Sequence, residues 1–331
     1  MDSRARIEAV LKGVKPDRPP GGAWGHTYRE EWSADDLARI TIERQRRFGW
    51  DFVKFQPRAS CFAEAFGSVY APANHKWRAP TMESHAVRSL EDWNALPAAD
   101  GSAPALAQQV ESIGITAREL GPTIPVLQTV FSPISVAGYL VGKNKRRALR
   151  DLRQNPDLVL PALERIADGL ADFANRSVAA GAAGIFYAIS GYASRDLLRD
   201  EAEYERLLLP LDLRVLEALD RRAWFNVLHL CGSSLHFGLS RKLPLGVVSW
   251  SIHNKGNPSL AEGAELSGKP VMGGLSMHGP LVYGSPEGVV TEAREALRDI
   301  GGRPFLLAPG CSIAPRARDA NLQAMMMAVA G

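Results

Sequence analysis

Short apolar segments alternate with longer segments in which apolar residues recur every three or four positions, along most of the chain. The short segments have the length and composition of strands that are buried on both faces, and the longer segments have the spacing of amphipathic helices. A regular alternation of strand and helix is typical of a parallel sheet with helices packed outside it. The pattern therefore predicts an α/β fold built from repeated strand–helix units.

Eight segments have the character of such strands. They are residues 22–25, 51–56, 124–130, 183–189, 224–229, 246–252, 270–275 and 304–308. Eight strands alternating with helices match a (β/α)8 TIM barrel, so we predict one such barrel over residues 1–331 with an amino-terminal helical extension. The chain has 331 residues, and closed α/β barrels commonly reach this length as one domain.

Two helices between the predicted strands are well delimited. Residues 157–179 follow an Asn-Pro pair and end before Gly181, which are ordinary start and stop signals. Residues 201–219 form the second predicted helix. Residues 71–121 are rich in Pro, Ala and Ser and are too long for a simple connection, so we expect them to form an excursion over the barrel mouth.

Composition and charge exclude several classes of protein. Hydrophobic residues make up 46% of the chain and charged residues 23%, as in ordinary globular proteins. The net charge of +3 comes from basic and acidic residues that are interspersed, so nucleic acid is not an expected partner. The first residues mix charges and lead into no long apolar run, which predicts neither a secretion signal nor a membrane anchor. We therefore expect a cytoplasmic protein with reduced or metal-bound cysteines.

The strongest chemical signal is the pair His229 and Cys231 at the end of the fifth predicted strand. Residues two apart in a strand point to the same side, so the imidazole and the thiolate can converge on one ion. Cys311 follows the eighth predicted strand, and both strand ends would open onto the catalytic face of a barrel. A His-Cys-Cys set with one open position is typical of catalytic zinc. For the His-x-Cys pair alone, the alternative is a core histidine beside a buried thiol.

Other polar side chains at predicted strand ends are candidates for substrate contact. His253 is also a candidate fourth metal ligand, with a hydrogen-bonding role in the pocket as the alternative. A surface or barrel-filling role is the alternative for the remaining candidates, which are His26, Gln128, Tyr187, Tyr192 and His278. We interpret Cys61, which lies between apolar neighbours, as a buried thiol.

The chain resembles the uroporphyrinogen decarboxylase-like superfamily over nearly its whole length. The opening residues resemble the superfamily's amino-terminal segment, a Phe-Ser-Pro segment resembles its helix entry after strand three, and two later segments resemble its last two loops. The matching segments are residues 3–13, 16–20, 131–141, 284–289 and 308–313. This resemblance implies a (β/α)8 barrel, and the segments other than the last one say little about the substrate.

Two chemistries are known in this superfamily, and the decarboxylase signatures are absent here. The decarboxylase has an arginine-rich first loop and an aspartate after strand two. In this chain residues 24–29 read Trp-Gly-His-Thr-Tyr-Arg, and residues 55–61 read Phe-Gln-Pro-Arg-Ala-Ser-Cys. Pairing several substrate carboxylates needs clustered guanidinium groups, and stabilising a protonated pyrrole needs an anion.

The other branch contains zinc- and corrinoid-linked methyltransferases, whose His-x-Cys pair and later cysteine match His229, Cys231 and Cys311. The resemblance implies that these residues bind Zn²⁺ and that a methyl group moves between a corrinoid and a thiol or a methylated small molecule. We expect a separate corrinoid protein to supply the corrinoid, and a homodimer is compatible with this arrangement. The alternatives are a carboxy-lyase acting on a tetrapyrrole or another carboxylated substrate, and a non-enzymatic barrel that binds a tetrapyrrole or corrinoid.

Overall fold

A computed structural model describes residues 1–73 and 75–329, and its main feature is a parallel sheet of seven strands. The strands in chain order are β1 (Val53–Phe55), β2 (Val69–Ala71), β3 (Thr81–Ser84), β4 (Val126–Phe131), β5 (Gly184–Ser190), β6 (Val227–Cys231), β7 (Val247–Ser249), β8 (Val271–Leu275) and β9 (Phe305–Pro309). The sheet order is β1-β4-β5-β6-β7-β8-β9, whereas β2 and β3 form a separate antiparallel hairpin. The predicted α/β fold with a parallel sheet is therefore confirmed.

Helices follow most of the strands of the sheet. They are α1 (Ser3–Leu11), α2 (Ala34–Phe48), α3 (Cys61–Ala65), α4 (Pro104–Leu120), α5 (Pro133–Leu140), α6 (Lys145–Gln154), α7 (Pro156–Ala179), α8 (Glu201–Leu207), α9 (Leu209–Glu217), α10 (Leu260–Ser267), α11 (Pro280–Tyr283), α12 (Pro286–Asp299) and α13 (Asp319–Met327). Short 3₁₀ helices cover Glu30–Trp32, Glu91–Trp93 and Phe237–Arg241. Within the described ranges, no helix combines the length and the apolar character needed to cross a bilayer.

The sheet separates an interior cluster from a larger cluster that packs under the helices. Register pairs Ala188 with His229 and His229 with Ser249, so these three side chains lie on the same, interior side. The interior cluster is apolar, and its members include Leu127, Phe186, Val227, Val247, Met272 and Leu306. Ile7 and Val10 of α1 pack into the same cluster, so the predicted amino-terminal helix covers one end of the interior.

The first predicted strand, residues 22–25, is not a regular strand. Gly21 and Gly25 form only isolated bridges with Leu307 and Ile313. The preceding Pro-Pro pair lacks backbone N–H donors, and glycines weaken a strand, which explains the irregular path. The structure therefore shows a curled seven-stranded sheet instead of the predicted regular eight-stranded barrel.

The predicted helices and the predicted excursion differ from the structure in two places. Residues 201–219 form two helices, α8 and α9, because Pro210 has no N–H for a continuous ladder. Residues 71–121 include all of α4, so only the part around the β2–β3 hairpin, which packs on α3, is an excursion. Helix α7 agrees with the prediction to one residue at its start.

A buried carboxylate, Asp51, joins the amino-terminal segment to the sheet. It accepts hydrogen bonds from Ser3 Oγ at 2.8 Å, from Arg6 at 3.2 Å and from Arg18 at 2.7 and 3.0 Å. The backbone N–H of Gly21 donates to it at 2.9 Å. One side chain therefore links α1, the irregular segment and the start of β1.

Asp212 on α9 is a second buried carboxyl group, and it lies outside the sheet. Tyr187 of β5 donates to its Oδ1 at 2.6 Å, and Tyr204 of α8 donates to its Oδ2 at 2.5 Å. Burial raises the pKa of Asp212 to about 7, although both hydroxyl groups lower it. The carboxyl group therefore stays protonated in the folded chain at mildly acidic pH.

Replacing Asp51 should strongly destabilise the fold. Asp51→Ala would leave two partly buried guanidinium groups without their shared carboxylate, and breaking such a pair costs roughly 3–5 kcal/mol. Chemical denaturation of wild type and variant measures this loss. Asp17→Ala is the matched control, because Asp17 pairs with the same Arg6 but lies at the surface, where ion pairs contribute little. Equal losses in both variants would contradict the proposed linking role of Asp51.

Asp212 should also make stability depend on pH. Between about pH 4 and pH 7 the folded chain holds a proton on Asp212 that the unfolded chain has released, so this contribution to the free energy of unfolding falls as pH rises. Asp212→Asn removes the titrating group. The stability difference between wild type and variant, measured by urea denaturation from pH 4 to pH 8, should decrease through this window and level off above it. A difference that does not change with pH would show that Asp212 keeps an ordinary pKa.

Candidate metal centre

The side chains of His229, Cys231 and Cys311 converge at the carboxyl ends of β6 and β9. Their potential ligand atoms, one ring nitrogen and two sulfurs, all lie within 4.8 Å of one another. Atoms at this spacing can share one ion after small side-chain adjustments. The structure thus brings together the three residues that the sequence singled out, although they are up to 82 positions apart.

Two local features of the chain produce this convergence. His229 and Cys231 lie two residues apart in β6, so both point to the interior side of the sheet. Gly310 lets the loop before Cys311 approach the loop after β7, because a Cβ at this position would lie 2.6 Å from the Cα of Ser251. Any larger residue at position 310 would push the two loops apart.

His229 has one ring nitrogen in contact with a hydroxyl group and one that faces no partner. Its side chain is buried, and Nδ1 lies 3.3 Å from Ser249 Oγ. Nε2 is buried and has no hydrogen-bond partner among the described residues. A buried, unpaired polar atom is costly, and a metal ion would satisfy it. When Nδ1–H donates to Ser249, the lone pair of Nε2 is free for an ion.

The two cysteines of the site behave as a pair, whereas Cys61 does not. A hydrogen bond between the sulfurs lowers the pKa of Cys311 well below its usual value and raises the pKa of Cys231. The opposite directions of the two pKa shifts follow from this contact between the sulfurs. Cys61 is fully buried, and burial raises the pKa of its thiol, in agreement with its interpretation as a buried apolar thiol.

A hydrogen-bonded chain of polar side chains lies beside the metal residues. Lys54 of β1 donates to Gln56 Oε1, and Ser312 Oγ donates to the same oxygen at 3.3 Å. Gln56 Nε2 lies 3.2 Å from His26 Nε2, and His26 Nδ1 lies 2.8 Å from Glu31 Oε1. We call these five residues the Glu31–Lys54 network. It joins the predicted pocket residue His26 to four polar side chains that the sequence analysis did not identify.

Lys54 is the buried cation of this network. Only 6% of its surface is exposed, and its Nζ lies 5.0 Å from the ring centre of Phe186 and 5.9 Å from that of Trp24. Burial lowers the pKa of Lys54 to about 7. Lys54 and Gln56 are alternate polar residues in an otherwise apolar segment, and this alternation is the sequence signal that would have pointed to the interior.

Two of the predicted pocket histidines, His253 and His278, are not among the residues whose ligand atoms converge in the described part of the chain. His253 Nε2 lies 3.2 Å from the carbonyl oxygen of Gly274 and 3.4 Å from Glu292 Oε1, so its partners are in β8 and α12. His278 is exposed, and its backbone N–H donates to Ser276 Oγ at 3.2 Å. Both residues follow carboxyl ends of strands, as predicted.

Gln128 and Tyr187 lie on the other side of the sheet from His229. Gln128 is in register with Ile185, and Tyr187 is in register with Leu228, which precedes His229. Gln128 is buried and donates to the carbonyl oxygen of Thr129, while Tyr187 is bound to Asp212. The structure thus packs both residues under the helices, which is neither the predicted substrate contact nor the barrel-filling role given as its alternative. Both faces of a parallel strand are buried, so its apolar sequence does not indicate which side chains face inward.

Comparison with solved structures supports the same fold. A methyltransferase from Methanosarcina mazei superposes with a TM-score of 0.81 at 23% identity, covering 99% of this chain and 98% of that chain. A B12-independent methionine synthase from Shewanella sp. W3-18-1 superposes with a TM-score of 0.60 at 17% identity, covering 89% and 86%. At these sequence identities, the superpositions show a shared fold and no more.

Sequence comparison finds relatives named as methyltransferases and a family that covers the chain. Methylcobamide:CoM methyltransferase MtbA of Methanosarcina acetivorans is 26% identical over 92% of this chain and 86% of the relative. Methylcobamide:CoM methyltransferase MtaA of Methanosarcina barkeri is 25% identical over 98% and 96%. The family described as uroporphyrinogen decarboxylase (URO-D) matches residues 2–331. This chain therefore belongs to the uroporphyrinogen decarboxylase (URO-D) family.

Proposed function

We propose that the chain is a zinc-dependent methyltransferase component that moves a methyl group between a corrinoid protein and a thiol or a methylated small molecule. The convergence of His229, Cys231 and Cys311, with a buried ring nitrogen that has no partner in the described residues, is the observation that carries this proposal. The relatives named methylcobamide:CoM methyltransferases support the corrinoid link.

The donor set fits zinc. One imidazole nitrogen and two sulfurs are ligand types that zinc prefers, and three protein ligands leave a position for a reacting group. Bound zinc would keep a sulfur ligand deprotonated or polarise the leaving heteroatom of a methyl donor. Catalytic metal sites of this kind differ from structural sites, in which four protein ligands close the coordination sphere.

The chain's own residues orient and shield the site. Ser249 Oγ contacts the ring of His229 at Nδ1, which leaves the buried Nε2 free to bind an ion. Phe186 packs 5.1 Å from that ring and covers its interior side. We propose that His26, His253 and His278 contact the substrate or the corrinoid protein, which would dock over the carboxyl ends of the strands. We also propose that residues 20–25 complete a closed barrel.

A decarboxylase function is less well supported by the same region. The loop before α2 carries one arginine, Arg29, instead of an arginine cluster, and the loop after β1 carries no aspartate before Cys61. Converging soft metal ligands have no role in a metal-free decarboxylase. A cytoplasmic location and a homodimer remain predictions. The relatives named as methyltransferases do not favour the non-enzymatic barrel.

The purified protein should bind close to one zinc per chain. Changing Cys231 or Cys311 to Ser should abolish most of this binding, because each supplies one of three ligands. Elemental analysis after zinc-supplemented purification measures the content. Cys61→Ala is the control, because Cys61 is buried away from the site and its loss should leave zinc content unchanged. Wild-type protein that contains no zinc would refute the metal site.

Cys311→Ala should abolish methyl transfer while the chain stays folded. If zinc activates a heteroatom, loss of a ligand should lower the rate by about a hundredfold or more, whereas a structural metal would mainly supply folding energy. Absorbance of methylcobalamin in the presence of a panel of thiols measures transfer, and circular dichroism with thermal melting measures folding. A variant that unfolds, or that keeps near-normal transfer, would contradict a catalytic role.

Rapid decarboxylation of uroporphyrinogen by the wild type would favour the alternative function.

A further inference from the structure

Lys54 is an interior cation for which none of the described carboxylates provides an ion pair. Its in-register partner, Leu127, belongs to the interior apolar cluster, and the side chain of Lys54 lies against the rings of Trp24 and Phe186. The ion pairs found in residues 1–73 and 75–329 do not include Lys54. Keeping an ammonium group buried without a counter-charge is costly, so a nearby anion would favour the charged form of Lys54.

The direction of each hydrogen bond in the Glu31–Lys54 network follows from its chemistry. Glu31 can only accept, so Nδ1 of His26 carries the proton and Nε2 accepts from the amide of Gln56. This orientation of the amide turns Gln56 Oε1 toward Lys54 and Ser312, both of which donate to it. The network therefore fixes the ammonium group in place, and the charge of Glu31 remains two side chains away.

The same contacts place the ammonium group beside the metal residues. Phe186 contacts both sites, with its ring centre 5.0 Å from Lys54 Nζ and 5.1 Å from the ring centre of His229. Ser312, which shares Gln56 Oε1 with Lys54, directly follows Cys311 in the chain. A positive charge at this distance, in a water-poor interior, acts on charges at the metal residues with little screening.

We propose that Lys54 is a positioning residue that favours an anionic sulfur, a thiolate, as the exogenous ligand at His229, Cys231 and Cys311. The inference rests on the proposed function. Two cysteine thiolates balance the charge of a divalent ion, so a third thiolate gives the centre a net negative charge, which the ammonium group compensates. When the thiol binds, its S–H bond breaks, the electron pair stays on sulfur and the proton passes to the buffer. A neutral thioether brings no such charge and gains nothing from Lys54.

The proposal is tested by measuring how two small ligands, each with an uncharged hydroxyethyl group, bind to the cobalt(II)-substituted protein. The probes are 2-mercaptoethanol, which binds as a thiolate, and 2-(methylthio)ethanol, which stays neutral, and the absorption bands of the cobalt report binding of each. Lys54→Met, which keeps an apolar chain between the two rings, should weaken thiol binding by about tenfold or more and leave thioether binding unchanged. Lys54→Arg should restore most of the thiol affinity, and metal content should be the same in all three proteins.

Lys269→Met is the matched control. Lys269 is also partly buried, but its ammonium group donates to the carbonyl oxygens of Ser240 and Leu243 at 2.7 and 2.6 Å, away from the metal residues. Its loss should leave both affinities unchanged. Slow alkylation of the buried Cys61 verifies that each variant is folded. If Cys61 is exposed in Lys54→Met, Lys54→Gln is used in its place.

The outcomes separate this inference from the proposed function. Equal thiol affinity in wild type and Lys54→Met, or equal weakening of both probes, would overturn the role of Lys54 and leave methyl transfer intact. Selective loss of thiol binding in a protein that transfers no methyl group would support Lys54 and overturn the proposed function. Wild-type protein that binds neither zinc nor cobalt would overturn both.

Discussion

The curvature of the parallel sheet is the constraint on which the metal centre depends. Two strands, β7 and β8, lie between β6 and β9, so in a flat sheet the ends of β6 and β9 would be about 14 Å apart. The ligand atoms carried by these ends lie within 4.8 Å of one another. Curling of the sheet, which follows from the handed twist of its strands, closes most of that gap, and the glycine before Cys311 closes the rest.

Much of the sheet could be predicted from the sequence because each buried strand is a short apolar run bounded by breakers. Seven of the eight predicted strands correspond to strands of the structure, with ends that differ by a few residues. The first predicted strand does not form a regular strand, because the segment around Gly21 follows two prolines and pairs only through isolated bridges. The sequence also could not say that Gln128 and Tyr187 face the helices, since that depends on register across three strands.

The candidate site was predictable where it depends on local alternation and was missed where it depends on packing. His229 and Cys231 need only a strand, and Cys311 needs in addition that strand ends share one face. Lys54 acquires its significance from Trp24 and Phe186, which come from separate segments and surround it only in the folded chain. The polar residues at positions 54 and 56 were a signal in the sequence, but they do not identify the partners of Lys54.

The irregular segment at the edge of the sheet has a consequence for water entry. Residues 21–25 form isolated bridges with Leu307 of β9 and with Ile313 after it, and Gly21 accepts a hydrogen bond from the amide of Asp51, just before β1. Few ladder hydrogen bonds therefore resist separation there. Local opening at such an edge costs less free energy than opening between β4, β5 and β6. Trp24 lies in this segment and covers Lys54, so each opening would hydrate the interior cation from the side. Opening of this edge would therefore give water a second route to the interior, through the side of the sheet.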